Sequence, residues 1–278
     1  MRLALLFNGS RPDTVGYYFL SACRALGMQV EQYPLAELHT VPAGLDAYLR
    51  IDHGDDYEAQ WPSALRPRLF FVSDTHLVHS WKKIRRIAPH YDLMCCAQSW
   101  AAAALPNGIW VPFACDPELH RSLEEPRQRD VVFVGTDGGS PRKFLLQALR
   151  ERYPDTMIGQ APHTAMSRLY SSAKIGFNYS IANEVNMRVF EVLATRTCLV
   201  TNALPPSELA ELGLVDGQHL AMFQRPEELL PTIDRLLGDG ALRERIAQAG
   251  YNAVRNRHTY VHRVREILQI ASQRGLLT

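Results

Sequence analysis

The chain has 278 residues, 46% of them hydrophobic and 21% charged, and carries a formal net charge of +1 at pH 7. These values describe a globular protein long enough for one large domain or two ordinary ones with substantial cores. They exclude a global electrostatic attraction to nucleic acid or to an anionic membrane.

The opening run Leu3 to Phe7 is short and breaks at Asn8-Gly-Ser, which fits a first strand better than a signal peptide. A helical pattern follows from Thr14 to Leu26, then strands at Gln29 to Tyr33, Leu45 to Ile51, Leu69 to Ser73, Asp92 to Ala97 and Ile109 to Val111. A helix is expected over Leu77 to Ile87. The polar, charged stretch Arg121 to Asp130 reads as an exposed connection. A second βα series begins at Val131-Val-Phe-Val-Gly135, with a helix over Pro141 to Arg152, a strand near Met157 and a helix from His163 to Ser172. After the segment treated next come a strand at Thr197 to Thr201 and helices at Pro226 to Leu237, Ala241 to Arg255 and Tyr260 to Ser272. This alternation predicts α/β architecture with mainly parallel sheets. The five cysteines include no CxxC pair, so buried free thiols are expected. No apolar run reaches membrane-spanning length, and a cytoplasmic enzyme, at most peripheral to the inner face of a membrane, is the default.

The organising stretch is Lys174 to Thr195, a strand followed by a helix that Asn183 or Asn186 can cap. At helical spacing Glu184, Arg188, Glu191 and Thr195 fall on one stripe, while Val185, Met187, Val189, Phe190, Val192, Leu193 and Ala194 fill the rest. Such a helix is buried with one charged ridge, and buried charges require partners or a polar cleft. Two readings stand side by side. The ridge is an intrahelical ladder from Glu184 to Arg188 and Glu191. Alternatively, Arg188 and the helix start neutralise a diphosphate while Glu191 accepts hydrogen bonds from ribose hydroxyls.

The segment resembles the donor-binding motif of GT-B glycosyltransferases, most closely the CgeB-like branch of group 1, in Asn186-Met-Arg188-Val-Phe-Glu191. Glu184 and Glu191 stand one residue closer than the two glutamates of group 1 enzymes often do, and Ala194-Thr-Arg196 replaces the Ala-Cys-Gly that usually follows. His258-Thr-Tyr260-x-His262-Arg263 resembles the run that opens the closing helix of CgeB-like chains. The resemblance implies a GT-B plan of two facing Rossmann-like domains, with an acceptor domain over 1–122, a linker at 123–130 and a donor domain over 131–258. A helix at 259–278 would cross back to the first domain. It also implies that Gly135 and Thr136, in the glycine-rich turn after Val134, border the donor, with Arg142 or Lys143 beside its diphosphate.

Other residues invite weighing. Asp74 and His76 end an apolar strand, where ligands of open α/β sheets bind, and suit acceptor binding or deprotonation; Asp74 could equally cap the next helix. Asp74-x-His76-x-x-His79 is too irregular for a metal site, and GT-B enzymes need no divalent ion, so neither metal nor cofactor is expected. Asp13 and Gly16 would face the acceptor, although Asp13 suits a helix N-cap. Trp81-Lys-Lys-Ile-Arg-Arg86 reads as a solvated face or as a patch for a lipid-linked acceptor.

The expectation is a metal-independent glycosyltransferase with Asp74, His76 and Glu184 as catalytic candidates. Gly135, Thr136, Arg142, Asn186, Arg188 and Glu191 would hold a UDP-, dTDP- or GDP-sugar. The acceptor would be a glycan, lipid-linked, protein or small molecule, with no nucleic acid. The two-glutamate motif leans towards retention; a base at Asp74 leans towards inversion. The rivals are a nucleotide-sugar epimerase on the same plan and a non-catalytic nucleotide-sugar-binding partner protein.

Overall fold

The computed structural model describes residues 1–277 except 11–13, 53, 55–56 and 183. In chain order the elements are β1 Arg2–Leu6, α1 Val15–Ala25, β2 Gln29–Tyr33, β3 Ala47–Ile51, β4 Arg68–Val72, α2 Val78–Ile87, β5 Leu93–Cys96, α3 Ser99–Ala103 and β6 Gly108–Trp110. They continue with β7 Arg129–Val134, α4 Arg142–Arg152, β8 Thr156–Gly159, α5 His163–Ser171, β9 Ala173–Asn178, α6 Met187–Ala194 and β10 Cys198–Asn202. The last are α7 Pro206–Leu212, β11 Ala221–Phe223, α8 Leu229–Gly238, α9 Gly240–Arg257 and α10 Tyr260–Gln273.

The chain forms two compact units, Met1–Pro112 with Tyr260–Thr278, and Phe113–Thr259. Each is built on a wholly parallel sheet, six strands in the order β2-β1-β3-β4-β5-β6 and five in the order β11-β10-β9-β7-β8. Strands β3, β4 and β5 are buried throughout and apolar apart from Arg50 and Arg68, as parallel strands covered on both faces tend to be. The expected α/β class and the return of the closing helix to the first unit are both present. Tyr260 at the start of α10 packs its ring 5.3 Å from Tyr18 and 5.2 Å from Phe19 of α1, and Arg263 donates from Nε to the Pro112 carbonyl at 2.8 Å. All five cysteines are free and buried, and burial pushes the thiols of Cys23, Cys96 and Cys198 up to about 12.

Three expectations need correction. The first unit ends at Pro112, and the polar stretch expected as a linker at 123–130 lies within the second unit. The amides of Arg121 and Leu123 donate to Ser167 Oγ and Ser171 Oγ of α5, each at 3.0 Å, which fastens the segment down. No strand is expected after Thr201, yet β11 adds an edge strand beside β10. The cap of α1 is Thr14, whose hydroxyl oxygen accepts the Gly16 N–H at 3.3 Å; Asp13 lies outside the described residues.

Helix α6 is buried as its composition requires, because small residues let it approach its neighbours. A Cβ on Gly176 of β9 would stand 2.4 Å from Val192 Cγ1. On Gly250 of α9 it would meet the His219 carbonyl oxygen at 2.3 Å and Leu193 at 2.6 Å. Past the end of α6, Arg196 has φ 57°, the one positive φ outside glycine among the described residues. A left-handed residue just beyond a helix is the usual place for glycine. The missing glycine of the Ala-Cys-Gly pattern therefore concerns how the helix ends. Arg196→Gly is expected to raise stability by about 0.5–1 kcal/mol, since a side chain in this conformation costs about 1–2 kcal/mol before glycine's own entropy is subtracted. Thermal denaturation checks it: the midpoint rises by a few degrees at most.

Candidate functional site

In the second unit's sheet, β7 lies between β8 and β9. The connection leaving β7 runs towards β8, whereas the one leaving β9 runs the opposite way to β10. Adjacent strands with diverging connections leave a crevice at their carboxyl ends, where open α/β sheets bind ligands. Its walls are the turn from Gly135 to Pro141 and the loop from Tyr179 to Asn186.

Gly138 and Gly139 carry the first wall through left-handed φ values of 60° and 76°. The turn wraps the Arg142 side chain so closely that a Cβ on Gly138 would come within 1.9 Å of Nη2. Arg142 donates from Nε to the Asp137 carbonyl at 3.1 Å and from Nη2 to Thr136 Oγ1 at 3.3 Å. Burial holds its guanidinium below the usual arginine range, Asp137 opposes this, and the positive charge of Arg188 adds to the lowering. Arg142 and Arg188 thus converge from the two walls. Lys143 is exposed, the solvated partner of the pair.

The second wall is pinned by polar residues at the ends of β9 and β10. Asn202 Oδ1 accepts the Ser180 N–H at 2.8 Å while its Nδ2 donates to the Ser180 carbonyl at 3.1 Å, and Asn178 Nδ2 donates to Thr201 Oγ1 at 3.1 Å. Ser180 Oγ accepts the Glu184 amide at 2.9 Å, and the buried Glu208 carboxylate accepts that of Val185 at 3.3 Å. The Val185 amide is therefore committed within the protein. Because α6 begins at Met187, Glu184 precedes the helix and leaves the expected ridge. Asn186 occupies the N-cap position without a side-chain cap bond. Its Nδ2 reaches Asn178 Oδ1 at 3.3 Å, and its Oδ1 is buried with no hydrogen-bond partner. Asn183 lies outside the described residues. Thr195, at the helix end, donates to the Val192 carbonyl at 2.7 Å and is structural.

From the second residue of α6, Arg188 Nη1 donates to Glu191 Oε2 at 2.6 Å, with Met166 Sδ of α5 at 3.4 Å from the same nitrogen. Glu191 is 1% exposed, and the Arg188 side chain, 21% exposed, covers its carboxylate. The pairing runs from Arg188 to Glu191. It also extends off the helix, because His120 Nε2 stands 3.4 Å from Glu191 Oε1. His163 completes a cluster in which one donor atom from each of His120, His163 and Glu191 lies within 4.8 Å of the others. The sequence offered no spacing that singles out either histidine. Asn178, Ser180, Asn202 and Glu208 were also missed, although polar residues ending an apolar strand are the signal that drew attention to Asp74.

In the first unit, Asp74 is half-buried just beyond β4 and His76 is exposed. The N-cap of α2 is Leu77, with no side-chain cap, so Asp74 does not fill the capping role. The carboxylate at the centre of this edge is Asp52, just after β3. Its Oδ1 accepts the Tyr57 hydroxyl at 2.7 Å, and its Oδ2 accepts the amides of Ser73 and Asp74 at 3.2 and 3.3 Å. Gly16 is buried where a Cβ would strike the Phe7 ring at 2.3 Å, so that packing accounts for the glycine. Along α2, Arg86 pairs with Glu58 at 2.7 Å and Arg85 lies over the Trp81 ring, as on a solvated face. Asp74 and His76 belong to one unit and Glu184 to the other, so the three form no cluster within either.

The family described as "Glycosyl transferase-like" matches residues 117–269, more than half of the chain, and the chain belongs to it. HepE from Anabaena, solved with UDP and glucose, is 11% identical over 98% of this chain and 99% of that one, with a TM-score of 0.72. Sucrose-phosphate synthase from Thermosynechococcus elongatus is 12% identical over 98% of both chains, TM-score 0.68. The β-glucosyltransferase of phage T4, solved with UDP-glucose, is 13% identical over 99% of both, TM-score 0.62, and has also been solved with UDP and Mn2+. A comparison with curated proteins found no match. The architecture is GT-B.

The anchoring of the second wall is testable without any ligand. Asn202→Ala would strand the N–H and C=O of the fully buried Ser180, each loss worth about 1–3 kcal/mol. Hydrogen exchange followed by mass spectrometry is expected to show faster exchange across residues 180–186, with α4 and β7 unaffected.

Proposed function

We propose that the protein is a glycosyltransferase that takes a sugar from a nucleotide-diphosphate donor held by the second unit, with the acceptor role falling to the first. One observation carries the reading: Arg142, Arg188 and Glu191 converge at the switch point of a parallel sheet, the first two from opposite walls. Arginines at the starts of α4 and α6 suit a diphosphate, and a carboxylate one turn into α6 suits vicinal ribose hydroxyls. The Asn186-Met-Arg188-Val-Phe-Glu191 motif keeps the CgeB-like branch as the reading within the family. UDP is the first base to test, because HepE and the T4 enzyme were solved with it.

Arg188 lies over the Glu191 carboxylate, so donor binding must exchange its partner. The diphosphate draws the guanidinium away and the ribose hydroxyls take its place on Glu191. The same cation then stabilises the negative charge that grows on the departing diphosphate, where a fixed charge is most effective. The arginines supply this charge, and the reaction as proposed proceeds without a divalent ion. Retention is the outcome in keeping with the two-glutamate motif, read from the anomer first formed by NMR; inversion would move the working group to Asp74.

The donor site is tested by thermal shift with UDP, GDP, dTDP and CDP. At least one nucleotide is expected to stabilise the wild type, and Glu191→Ala to abolish that stabilisation; an unchanged shift in the variant defeats the ribose assignment. Arg188→Met is expected to weaken nucleotide binding about 10–100-fold, the worth of a charge-assisted hydrogen bond. Turnover of a nucleotide-sugar panel, with and without acceptors and with Mn2+ or EDTA, then tests transfer itself. An altered nucleotide sugar formed without acceptor would make the protein an epimerase.

A further inference from the structure

We propose that His120 is a positioning residue for Glu191, aiming its carboxylate at the ribose of the donor; this rests on the assignment of Glu191 to the ribose. His120 is 0% exposed, and its ring is held from both sides in sequence and space. Asp116 Oδ1 accepts the amides of Glu118 and Leu119 at 2.8 and 3.2 Å, which curls residues 116–120 into one turn. The His120 amide donates to the Asp116 carbonyl at 2.8 Å, and the Asp116 amide donates to His120 Nδ1 at 3.1 Å. The turn is fastened to α5, where Ser167 Oγ donates to the Leu119 carbonyl, and to α9, where Arg255 donates to the Pro117 carbonyl at 2.9 Å.

The bond to Nδ1 decides the chemistry of the other ring nitrogen. An Nδ1 that accepts an amide proton carries none itself, so the single proton of a neutral imidazole is on Nε2. Burial keeps the ring neutral by pushing its pKa down, against the pull of Glu191 and Asp116 and with help from His163 and Arg188. Nε2 stands 3.4 Å from Glu191 Oε1, a close contact whose geometry falls short of a hydrogen bond for either buried atom. Arg188 donates to Oε2 and the imidazole stands beside Oε1, whose lone pairs take no full hydrogen bond from the protein and remain for a ribose hydroxyl. The two protein groups fix the plane of the carboxylate, hence the direction of those lone pairs.

The same tautomer speaks against reading His120, His163 and Glu191 as a metal site, attractive as the 4.8 Å grouping is. A metal takes a bare nitrogen lone pair, and here the Nε2 lone pair holds a proton.

The test uses His120→Asn and His120→Gln in the full chain. Asparagine retains an acceptor near Nδ1 and loses the Nε2 donor; glutamine places an amide N–H near Nε2. Affinities are measured for UDP against 2′-deoxy-UDP and GDP against 2′-deoxy-GDP. The wild type is expected to prefer the ribonucleotide. In the asparagine variant that preference falls about five- to tenfold, and in the glutamine variant it stays within about twofold, as expected for one neutral hydrogen bond. A folded asparagine variant with the wild-type preference overturns the role of His120, as does equal loss in both variants, which would indicate packing alone. A wild type with no preference overturns the ribose assignment beneath it. Loss of preference in EDTA with recovery in Zn2+ replaces the proposal with a metal site. Nitrogen-15 NMR of the wild-type ring needs no variant: a proton on Nδ1 overturns the proposal.

Discussion

A carboxylate that is 1% exposed on an otherwise apolar helix sets the terms for the second unit. An unpaired charge in that position would cost several kcal/mol, so the chain must deliver partners to it. Arg188 arrives from the same helix and His120 from a segment far away in sequence. Neither would suffice if the helix could shift, and Gly176 and Gly250 remove the side chains that would hold it off its neighbours. Around that fixed point the Asn202 clasp on Ser180 and the glycine turn around Arg142 place the remaining polar groups. These groups form one electrostatic arrangement served by several segments, with Arg188 and Arg142 at its partly exposed edge.

Much of this was legible in the residues. Apolar runs marked nearly every strand because strands of a parallel sheet are buried on both faces, and the wide apolar girth of α6 announced its burial. The pair Arg188 and Glu191 could be read from helical spacing. What spacing could not give was the point at which the helix begins. Extending it back to Glu184 created a ridge that the loop anchored by Ser180 and Glu208 dissolves. His120 was illegible for a different reason. Its partner lies 71 residues on in the sequence, and only tertiary packing, with the turn fastened to α5 and α9, brings the two segments together. The short β11 and α7 were missed because three and seven residues are too few to establish a period. The linker was misplaced because a polar, proline-containing stretch looks exposed, whereas here its amides are taken up by serines of α5.

The departures from the family pattern separate into two kinds. Arg196 stands where glycine is usual, just past the end of α6, beside Glu244 and Arg127. The altered glutamate spacing does bear on the site, because it places Glu184 in a loop whose amide is held by Ser180. Asp52, by contrast, gives the first unit a buried carboxylate that organises the ends of β3 and β4 and leaves Asp74 at the rim.

The return of α10 to the first unit has a bearing on biogenesis. The second unit is encoded without interruption, so a ribosome finishes it before the first unit is whole. Until residues beyond Thr259 are made, Tyr18 and Phe19 lack the ring of Tyr260, and an apolar strip on α1 stays wet through the synthesis of the entire intervening unit. The order of completion is therefore the reverse of the numbering: the half begun first is the half finished last.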